Sequence, residues 1–351
     1  MIRVGIIGCG KIAQTRHIPE YAAHPDAVLA GFYDLNQERA QELAQRYQGK
    51  AYPSVEALLA DDSIDAVSVC TANNAHASIS IAALRAGKHV LCEKPMATTL
   101  ADCERMVAEA ARAHRFLMIG QNQRLAPAHV RARELLARGE IGTILTARTT
   151  FGHGGPESWS IDPGNGTWFF DPQRAAMGVM ADLGIHKTDL LQFLCGGTIC
   201  RVTARLATLD KRTPSGELIG VDDNAFCIYE MDNGVMAMLQ ASWTHYGAED
   251  NSTVLYGTEG MMRIYDDPNY AIVIIKKSGE RQFYELGSIQ TNDNQSDSGV
   301  IAQWVDCLVQ GREPELSGQS VLPAMRAVFA AITASREGKT VSLCSGEEEL
   351  T

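Results

Sequence analysis

Short apolar runs alternate with segments of helical periodicity over residues 1–121. The runs, each followed by a helix-like pattern, fall at residues 3–7, 28–33, 66–70, 89–92 and 116–119. This alternation is typical of a parallel sheet with crossover helices, and unbroken apolar runs indicate strands that are buried on both faces. We therefore predict a doubly wound α/β domain over residues 1–121.

The pattern changes after Gly120. The next predicted elements are a bridging helix, a strand, a long loop with Gly and Pro, and a second helix, over residues 127–138, 145–151, 152–172 and 178–194. Separate β-like runs with turn signals then extend from residue 201 to residue 286, and two helices are predicted over residues 298–309 and 323–336. We predict that residues 122–351 form an α+β domain with an open, mainly antiparallel sheet.

A glycine-rich turn joins the first strand to the first helix. It runs from Gly8 to Ala13 and has the pattern G-x-G-x-x-A. Gly8 allows the tight turn, Gly10 lets a pyrophosphate approach the backbone at the helix N-terminus, and Ala13 allows close helix–sheet packing. The turn predicts a Rossmann dinucleotide site with Gly8, Gly10, Lys11 and Ile12 in contact with the cofactor.

Asp34 supports this prediction from the end of the second strand. It lies 21 residues after Ala13, close to the spacing expected of the acid that binds the adenosine ribose. Its charge would repel a 2′-phosphate, and neither Leu35 nor Asn36 supplies a compensating arginine. We therefore predict that the cofactor is NAD rather than NADP.

Two further segments carry groups suited to proton chemistry. Glu93-Lys94-Pro95 directly follows a predicted strand, where Lys94 could donate a hydrogen bond to a substrate oxygen. Asp182 and His186 are four residues apart on one helix face, and an Asp beside a His makes a usable proton relay. An ordinary surface lysine and an ordinary helix-side pair are the alternatives for each segment taken alone.

Together and in this order, these segments resemble the Gfo/Idh/MocA family of oxidoreductases over essentially the whole chain. The matching elements are the glycine-rich turn, Thr71-Ala72-Asn73-Asn74-Ala75-His76, the block from Ala86 to Pro95, and the D-x-G-x-H-x-x-D helix that ends at Asp189. The run ending in Glu-Lys-Pro is highly specific. Two departures are Ala72, where the family has proline, and Ala175-Ala176-Met177, where it often has consecutive glycines.

The resemblance implies roles for individual residues. Lys94 would lie beside the nicotinamide and the substrate, while Asp182 and His186 would act on the substrate hydroxyl. Members of the family differ over whether the lysine or the histidine is the formal base, and we expect His186, with Asp182 orienting its imidazole. The residues implied to contact the cofactor are Thr71, Asn73, His76, Glu93 and Lys94.

The loop before the catalytic helix contains aromatic, carboxylate and amide side chains, which suit a polyhydroxylated ring. We predict that His153 and Trp168 contact the substrate, together with Arg124, just after the last strand of the first sheet, and Asp189. Loop packing is the alternative for each of them.

Composition excludes several other classes of protein. The net charge is -11 and there is no run of Lys or Arg, so we expect neither nucleic-acid nor membrane binding. Nine cysteines without a C-x-x-C pair indicate free thiols in a reducing compartment, and no histidine near Cys195 and Cys200 completes a metal site. Because Met1 leads directly into a strand and no apolar run reaches the ~20 residues of a membrane span, we expect a cytoplasmic protein.

These observations predict an NAD-dependent dehydrogenase that oxidises a secondary hydroxyl of a sugar, a sugar derivative or a cyclitol. Two alternatives stay open, a redox-assisted glycosidase or lyase with tightly bound NAD, and a non-catalytic dinucleotide-binding regulator. The resemblance also implies a homodimer or homotetramer that covers the free face of the second sheet, where Val235, Met236 and Met238 would otherwise meet water.

Overall fold

A computed structural model describes residues 1–291 and 297–344 of the chain. The strands are β1 (Ile2–Ile7), β2 (Ala27–Tyr33), β3 (Lys50–Ala51), β4 (Ala66–Val69), β5 (His89–Cys92), β6 (Leu117–Ile119), β7 (Ile144–Gly152), β8 (Ile199–Ala207), β9 (Asn224–Met231), β10 (Met236–Ser242), β11 (Thr253–Gly257), β12 (Gly260–Ile264), β13 (Ile272–Lys276), β14 (Arg281–Tyr284) and β15 (Val341–Ser342).

The α-helices are α1 (Ile18–Ala23), α2 (Gln37–Arg46), α3 (Val55–Leu59), α4 (His76–Arg85), α5 (Leu100–Ala113), α6 (Pro127–Ala137), α7 (Pro156–Trp159), α8 (Ile185–Cys195), α9 (Val300–Gln310) and α10 (Gly318–Glu337). Two segments of π-helix, Ala13–His17 and Met180–Gly184, lead directly into α1 and α8. No helix within the described residues is long and apolar enough to cross a membrane.

The first sheet is parallel and has the strand order β3-β2-β1-β4-β5-β6. Side-chain caps start two of its longer helices, since Asn36 accepts a hydrogen bond at the N-terminus of α2 and Thr99 does so at the N-terminus of α5. The prediction of a Rossmann sheet is confirmed. Its strand order reverses between β1 and β4, so the carboxyl ends of these strands open a crevice for a ligand.

The second sheet has nine strands in the order β14-β13-β12-β11-β7-β10-β9-β8-β15. β7 and β10 run parallel, and the other neighbours pair antiparallel, which confirms the mainly antiparallel sheet. One face packs against α8 and α10. The opposite face exposes Phe226, Ile228, Met236 and Met238. Val235, expected on that face, is buried because strand alternation turns it to the other side.

The last helix begins earlier than predicted, whereas α9 lies within two residues of its predicted bounds. α10 begins at Gly318, five residues before the predicted start, because the Ser317 side chain caps it and Pro323 is accommodated inside it. α9 returns to the first sheet, where Val300 and Trp304 belong to the same buried cluster as Val4 and Tyr21.

The cysteines also depart in part from the expectation of free thiols. Cys200 forms a disulfide with Cys344, which lies 144 residues later in the sequence. The pairing of β15 with β8 brings the two residues together, and no local sequence pattern reveals that pairing. The remaining seven cysteines are free and buried.

Candidate active site in the cleft between the two sheets

A cavity of about 610 Å³ opens at the carboxyl ends of β1, β2, β4 and β5. This volume falls within the range of ~300–1,000 Å³ that is usual for ligand sites. Every residue predicted to contact the cofactor lines it, namely Gly8, Gly10, Lys11, Ile12, Asp34, Thr71, Asn73, His76, Glu93 and Lys94. The opposite wall comes from the second half of the chain and includes Trp159, Trp168, Phe169 and Asp182.

The glycine-rich turn has the shape that a dinucleotide needs. Gly8 has a φ of 91°, and a Cβ atom there would lie 2.7 Å from the backbone of Cys70. The space beside Gly10 is open, with no heavy atom within 4 Å of where its Cβ would be. A side chain at either position would strain the turn or narrow the approach to the backbone, so the turn fits a bound pyrophosphate.

Asp34 is held in place at the end of β2. Its Oδ2 accepts a hydrogen bond from the Cys9 N–H at 2.6 Å, and its Oδ1 accepts one from the Asn36 N–H at 2.8 Å. Arg39, on the first turn of α2, also lines the cavity and places Nη1 3.8 Å from Asp34 Oδ1. Residues 35 and 36 offer no compensating arginine, but α2 supplies one three residues further on.

The loop over residues 71–76 ties the cofactor cavity to the catalytic segment. His76 is buried, and its Nδ1 lies 2.7 Å from the carbonyl oxygen of Pro95. The Asn73 amide donates a hydrogen bond to the Ala175 carbonyl at 3.0 Å, which joins the loop to the second half of the chain. The loop therefore fixes Pro95 on one side and the stretch before the catalytic helix on the other.

Lys94 and Asp182 meet across the cleft. Lys94 Nζ donates to Asp182 Oδ1 at 2.6 Å, and Trp243 Nε1 donates to Asp182 Oδ2 at 3.0 Å. Burial opposes ionisation of Asp182, but the Lys94 ammonium holds the pKa of this carboxyl below its ordinary value. Asp182 is therefore ionised at neutral pH and forms an ion pair with Lys94.

His186 follows one helical turn after Asp182 and is buried. Burial, and next the charge of Lys94, hold the pKa of the His186 imidazole well below its ordinary value of 6.5. Within the described residues its Nδ1 has no hydrogen-bond partner. The imidazole is therefore neutral and able to accept a proton.

The expected pairing of Asp182 with His186 is replaced by the ion pair with Lys94. Sequence spacing places both side chains on one helix face, but both carboxylate oxygens of Asp182 are engaged elsewhere. The reason is electrostatic, because a hydrogen bond from an ammonium to a carboxylate is stronger than one from a neutral imidazole. Asp182 thus holds Lys94 rather than orienting the imidazole.

A second, smaller cavity adjoins the first. Lys94 and Asp182 line both cavities, and the smaller one adds His153, His186 and Gln123. His153 Nδ1 accepts a hydrogen bond from the Gly155 N–H at 3.1 Å, so the proton of a neutral ring lies on Nε2. Burial lowers the pKa of His153 to about 4, which keeps the ring neutral. His153 is therefore a hydrogen-bond donor for this cavity.

The remaining predicted substrate residues lie elsewhere. Arg124 Nε donates to Asp189 Oδ2 at 2.6 Å, both residues are buried, and neither lines either of the two cavities just described. This pair ties the turn that precedes α6 to α8. Trp168 lines the larger cavity, stacked on Phe169 with 3.9 Å between ring centroids.

Comparison with known proteins gives matches over both halves of the chain. Residues 2–121 match the model of the oxidoreductase family with an NAD-binding Rossmann fold, and residues 129–263 match the GFO/IDH/MocA C-terminal domain. The chain is 26% identical to a myo-inositol 2-dehydrogenase of Thermotoga maritima over 97% of this chain and 98% of that protein. It is 32% identical to a 1,5-anhydro-D-fructose reductase of Ensifer adhaerens over 75% of each chain.

A solved structure extends the likeness to the whole fold. The crystal structure of an aldose-aldose oxidoreductase from Caulobacter crescentus, complexed with glycerol, has a TM-score of 0.82 and 26% sequence identity. The match covers 97% of this chain and 99% of that one.

Proposed function

This chain belongs to the Gfo/Idh/MocA family of NAD-binding oxidoreductases, and on that premise we propose that it oxidises a secondary hydroxyl of a sugar, a sugar derivative or a cyclitol. The observation that carries the proposal is that Lys94 and Asp182 line both cavities. A cofactor in the larger cavity and a substrate in the smaller one would meet at these two side chains.

The residues divide the work between binding and proton transfer. Bound NAD supplies the hydride acceptor at nicotinamide C4. Neutral His186 takes the hydroxyl proton as the C–H bond of the carbinol carbon breaks and releases the hydride. The Lys94 ammonium, held by Asp182, donates a hydrogen bond to the same oxygen and stabilises the alkoxide charge that develops there.

Substrate contacts follow from the smaller cavity. His153 presents an N–H to a substrate oxygen, and the amide of Gln123 has an Oε1 atom without a partner among the described residues. Such neutral donors and acceptors suit the several hydroxyl groups of a polyol. Trp168, which lines the larger cavity, would instead cover the cofactor.

Asp34 is the group that sets the preference for NAD over NADP. A carboxylate beside the ribose accepts hydrogen bonds from the two ribose hydroxyls and repels a 2′-phosphate. Arg39 partly offsets that repulsion, since it lies within 4 Å of Asp34 and lines the same cavity. We therefore expect weak but measurable binding of NADP as well.

The decisive experiment is an assay of the purified protein with NAD⁺ and a panel of inositols, aldoses, anhydrosugars and glycosides. We expect one of the free sugars or cyclitols to produce NADH that accumulates in solution. A glycoside that is cleaved without net NADH would establish the redox-assisted glycosidase instead. Binding of NAD⁺ with no turnover of any compound would favour a non-catalytic dinucleotide-binding regulator.

A homodimer or homotetramer and a cytoplasmic location complete the proposal. Ile228 and Met238 are direct cross-strand partners on the uncovered face of the second sheet, and they are 46% and 62% exposed. Packing this face against a second copy of the chain would remove its apolar side chains from water. We expect light scattering to give at least twice the monomer mass, and Met238→Glu to lower it. A monomer mass at micromolar concentration would contradict this part of the proposal.

A further inference from the structure

Glu93 is held by a line of hydrogen bonds that connects the first helical segment with β4 of the first sheet. Tyr21 Oη lies 2.8 Å from Ser68 Oγ, Ser68 Oγ lies 3.2 Å from His17 Nδ1, and His17 Nε2 lies 2.8 Å from Glu93 Oε1. Tyr21, Ser68 and His17 are each 0% exposed. His17 belongs to the π-helical segment that follows the glycine-rich turn.

The direction of this line is fixed by what each group can donate. A carboxylate only accepts, so His17 must carry its proton on Nε2. Nδ1 then accepts from the Ser68 hydroxyl, and Ser68 in turn accepts from the Tyr21 hydroxyl. Burial raises the pKa of Tyr21, which keeps its proton on the oxygen. Every donor in this arrangement finds one acceptor, and the line ends on Glu93.

The line sets the position of the next residue in the sequence. Glu93 Oε2 accepts a hydrogen bond from the Lys94 N–H at 3.2 Å. The backbone of Gly120 packs directly against the Glu93 carboxyl, since a Cβ atom at Gly120 would lie only 3.0 Å from it. The carboxylate therefore holds the Lys94 backbone from one side, while His76 holds the Pro95 carbonyl from the other.

We propose that His17 is a positioning residue for Lys94, acting through Glu93. The imidazole holds the Glu93 carboxylate, the carboxylate holds the Lys94 N–H, and the Lys94 ammonium is thereby aligned with Asp182 and the reacting oxygen. This inference rests on the function proposed above for Lys94. It predicts that loss of the Nε2–H donor lowers turnover although His17 lines neither of the two cavities described here.

The test compares His17→Gln with His17→Asn. The side-chain amide of glutamine reaches the position of the imidazole Nε2 and keeps a donor for Glu93, whereas that of asparagine reaches only the position of Nδ1. We expect His17→Asn to lower kcat by roughly 10- to 100-fold, as for loss of one hydrogen bond to a charged group, and His17→Gln to stay within about threefold of the unmodified protein. The dissociation constant of NAD⁺, from calorimetry, should change little in either variant.

A second readout is independent of turnover. In protein labelled with ¹⁵N-lysine, the Lys94 backbone amide signal should move in His17→Asn and stay in place in His17→Gln, with Lys94→Arg used to assign it. A Lys94 signal that stays in place in His17→Asn would overturn the inference, as would equal loss of kcat in both variants. Absence of any turnover in the unmodified protein would instead overturn the proposed function, and the amide signal would still decide the role of His17.

Discussion

Glu93 and Lys94 are neighbours in the sequence, yet each forms its main side-chain contact with a different side of the cleft. On the first side, a π-helical segment presents His17 to Glu93 through a hydrogen bond from a side chain that is fully buried. On the second side, a π-helical segment presents Asp182 to Lys94 through an ion pair whose lysine side chain is 18% exposed.

The difference separates geometry from chemistry. His17, Ser68 and Tyr21 line neither of the two cavities, so their contribution is to fix where the backbone lies. The ion pair of Lys94 with Asp182 opens into both cavities, so its charges are available to a substrate oxygen. Single π-helical turns are frequent at functional sites, and here one on each side of the cleft delivers a side chain to adjacent residues of the same strand end.

The sharpest test of this division is His186→Asn. We expect kcat for alcohol oxidation to fall by roughly 10²–10⁴-fold, as for a lost general base, while NAD⁺ affinity is retained because His186 lies on the second side. Lys94→Ala should also remove most turnover and weaken NAD⁺ binding, since Lys94 lines the cofactor cavity. Steady-state kinetics and calorimetry separate the two. If His186→Asn turns over normally and Lys94→Ala does not, the proton leaves through Lys94.

The pH profile examines the second side alone. Since burial and Lys94 hold the pKa of His186 well below 6.5, its base form predominates at neutral pH. The initial rate of oxidation should be level above pH 6.5 and fall about tenfold per pH unit only once the pH drops below that lowered pKa. Asp182→Asn should shift the acid limb lower still, because Asp182 raises the pKa of His186. An acid limb at or above pH 6.5 would contradict the neutral imidazole.

Asp34→Ser probes the first side. Removing the carboxylate should weaken NAD⁺ binding roughly tenfold, as for one charge-assisted hydrogen bond, and strengthen NADP⁺ binding because the Asp34 charge no longer repels a 2′-phosphate beside Arg39. Titration of both nucleotides measures the change. In Asp34→Ser with Arg39→Met, the gain for NADP⁺ should disappear. Tighter binding of NADP⁺ than NAD⁺ by the unmodified protein would refute the role given to Asp34.

The smallest effect concerns the stretch that leads into the catalytic helix. Ala176 has a φ of 62°, a left-handed conformation that costs a non-glycine residue ~1–2 kcal/mol. Ala176→Gly should raise the free energy of unfolding by roughly 0.5–1 kcal/mol after the greater chain entropy of glycine is subtracted. Thermal unfolding measures this, with Ala175→Gly as a control that lacks the positive φ and should destabilise. A lower melting temperature for Ala176→Gly would show that no strain resides there.

Local rules explain what the sequence could predict. The turn at Gly8 and Gly10 and the distance to Asp34 are properties of one strand–helix–strand unit, so they can be read without knowing the rest of the fold. The strand ending before Glu93 is equally local. Placing Glu93 and Lys94 at the crevice needed only the rule that carboxyl ends of parallel strands face the ligand.

Partners that come from distant segments could not be read in this way. His17 meets Glu93 across 76 positions and Lys94 meets Asp182 across 88. Asp182 was predicted to pair with His186, four residues away, because a sequence gives distances between side chains only within a single helix. Arg124 was assigned to the substrate for a similar reason, although its carboxylate partner lies 65 residues later. Chemical type indicated that these side chains mattered, but only the packing of the two sheets decided what each one touches.

The return of α9 to the first sheet has a consequence for the order in which the protein can mature. Val300 and Trp304 complete the hydrophobic cluster that contains Val4 and Tyr21, so a nascent chain that has passed residue 121 still lacks one wall of that core. Tyr21 also starts the line of hydrogen bonds that ends on Glu93. During synthesis, domains generally fold from the N-terminus onward. Here the dinucleotide-binding half reaches its final packing only after residue 310 has emerged, long after its own first 121 residues have been synthesised.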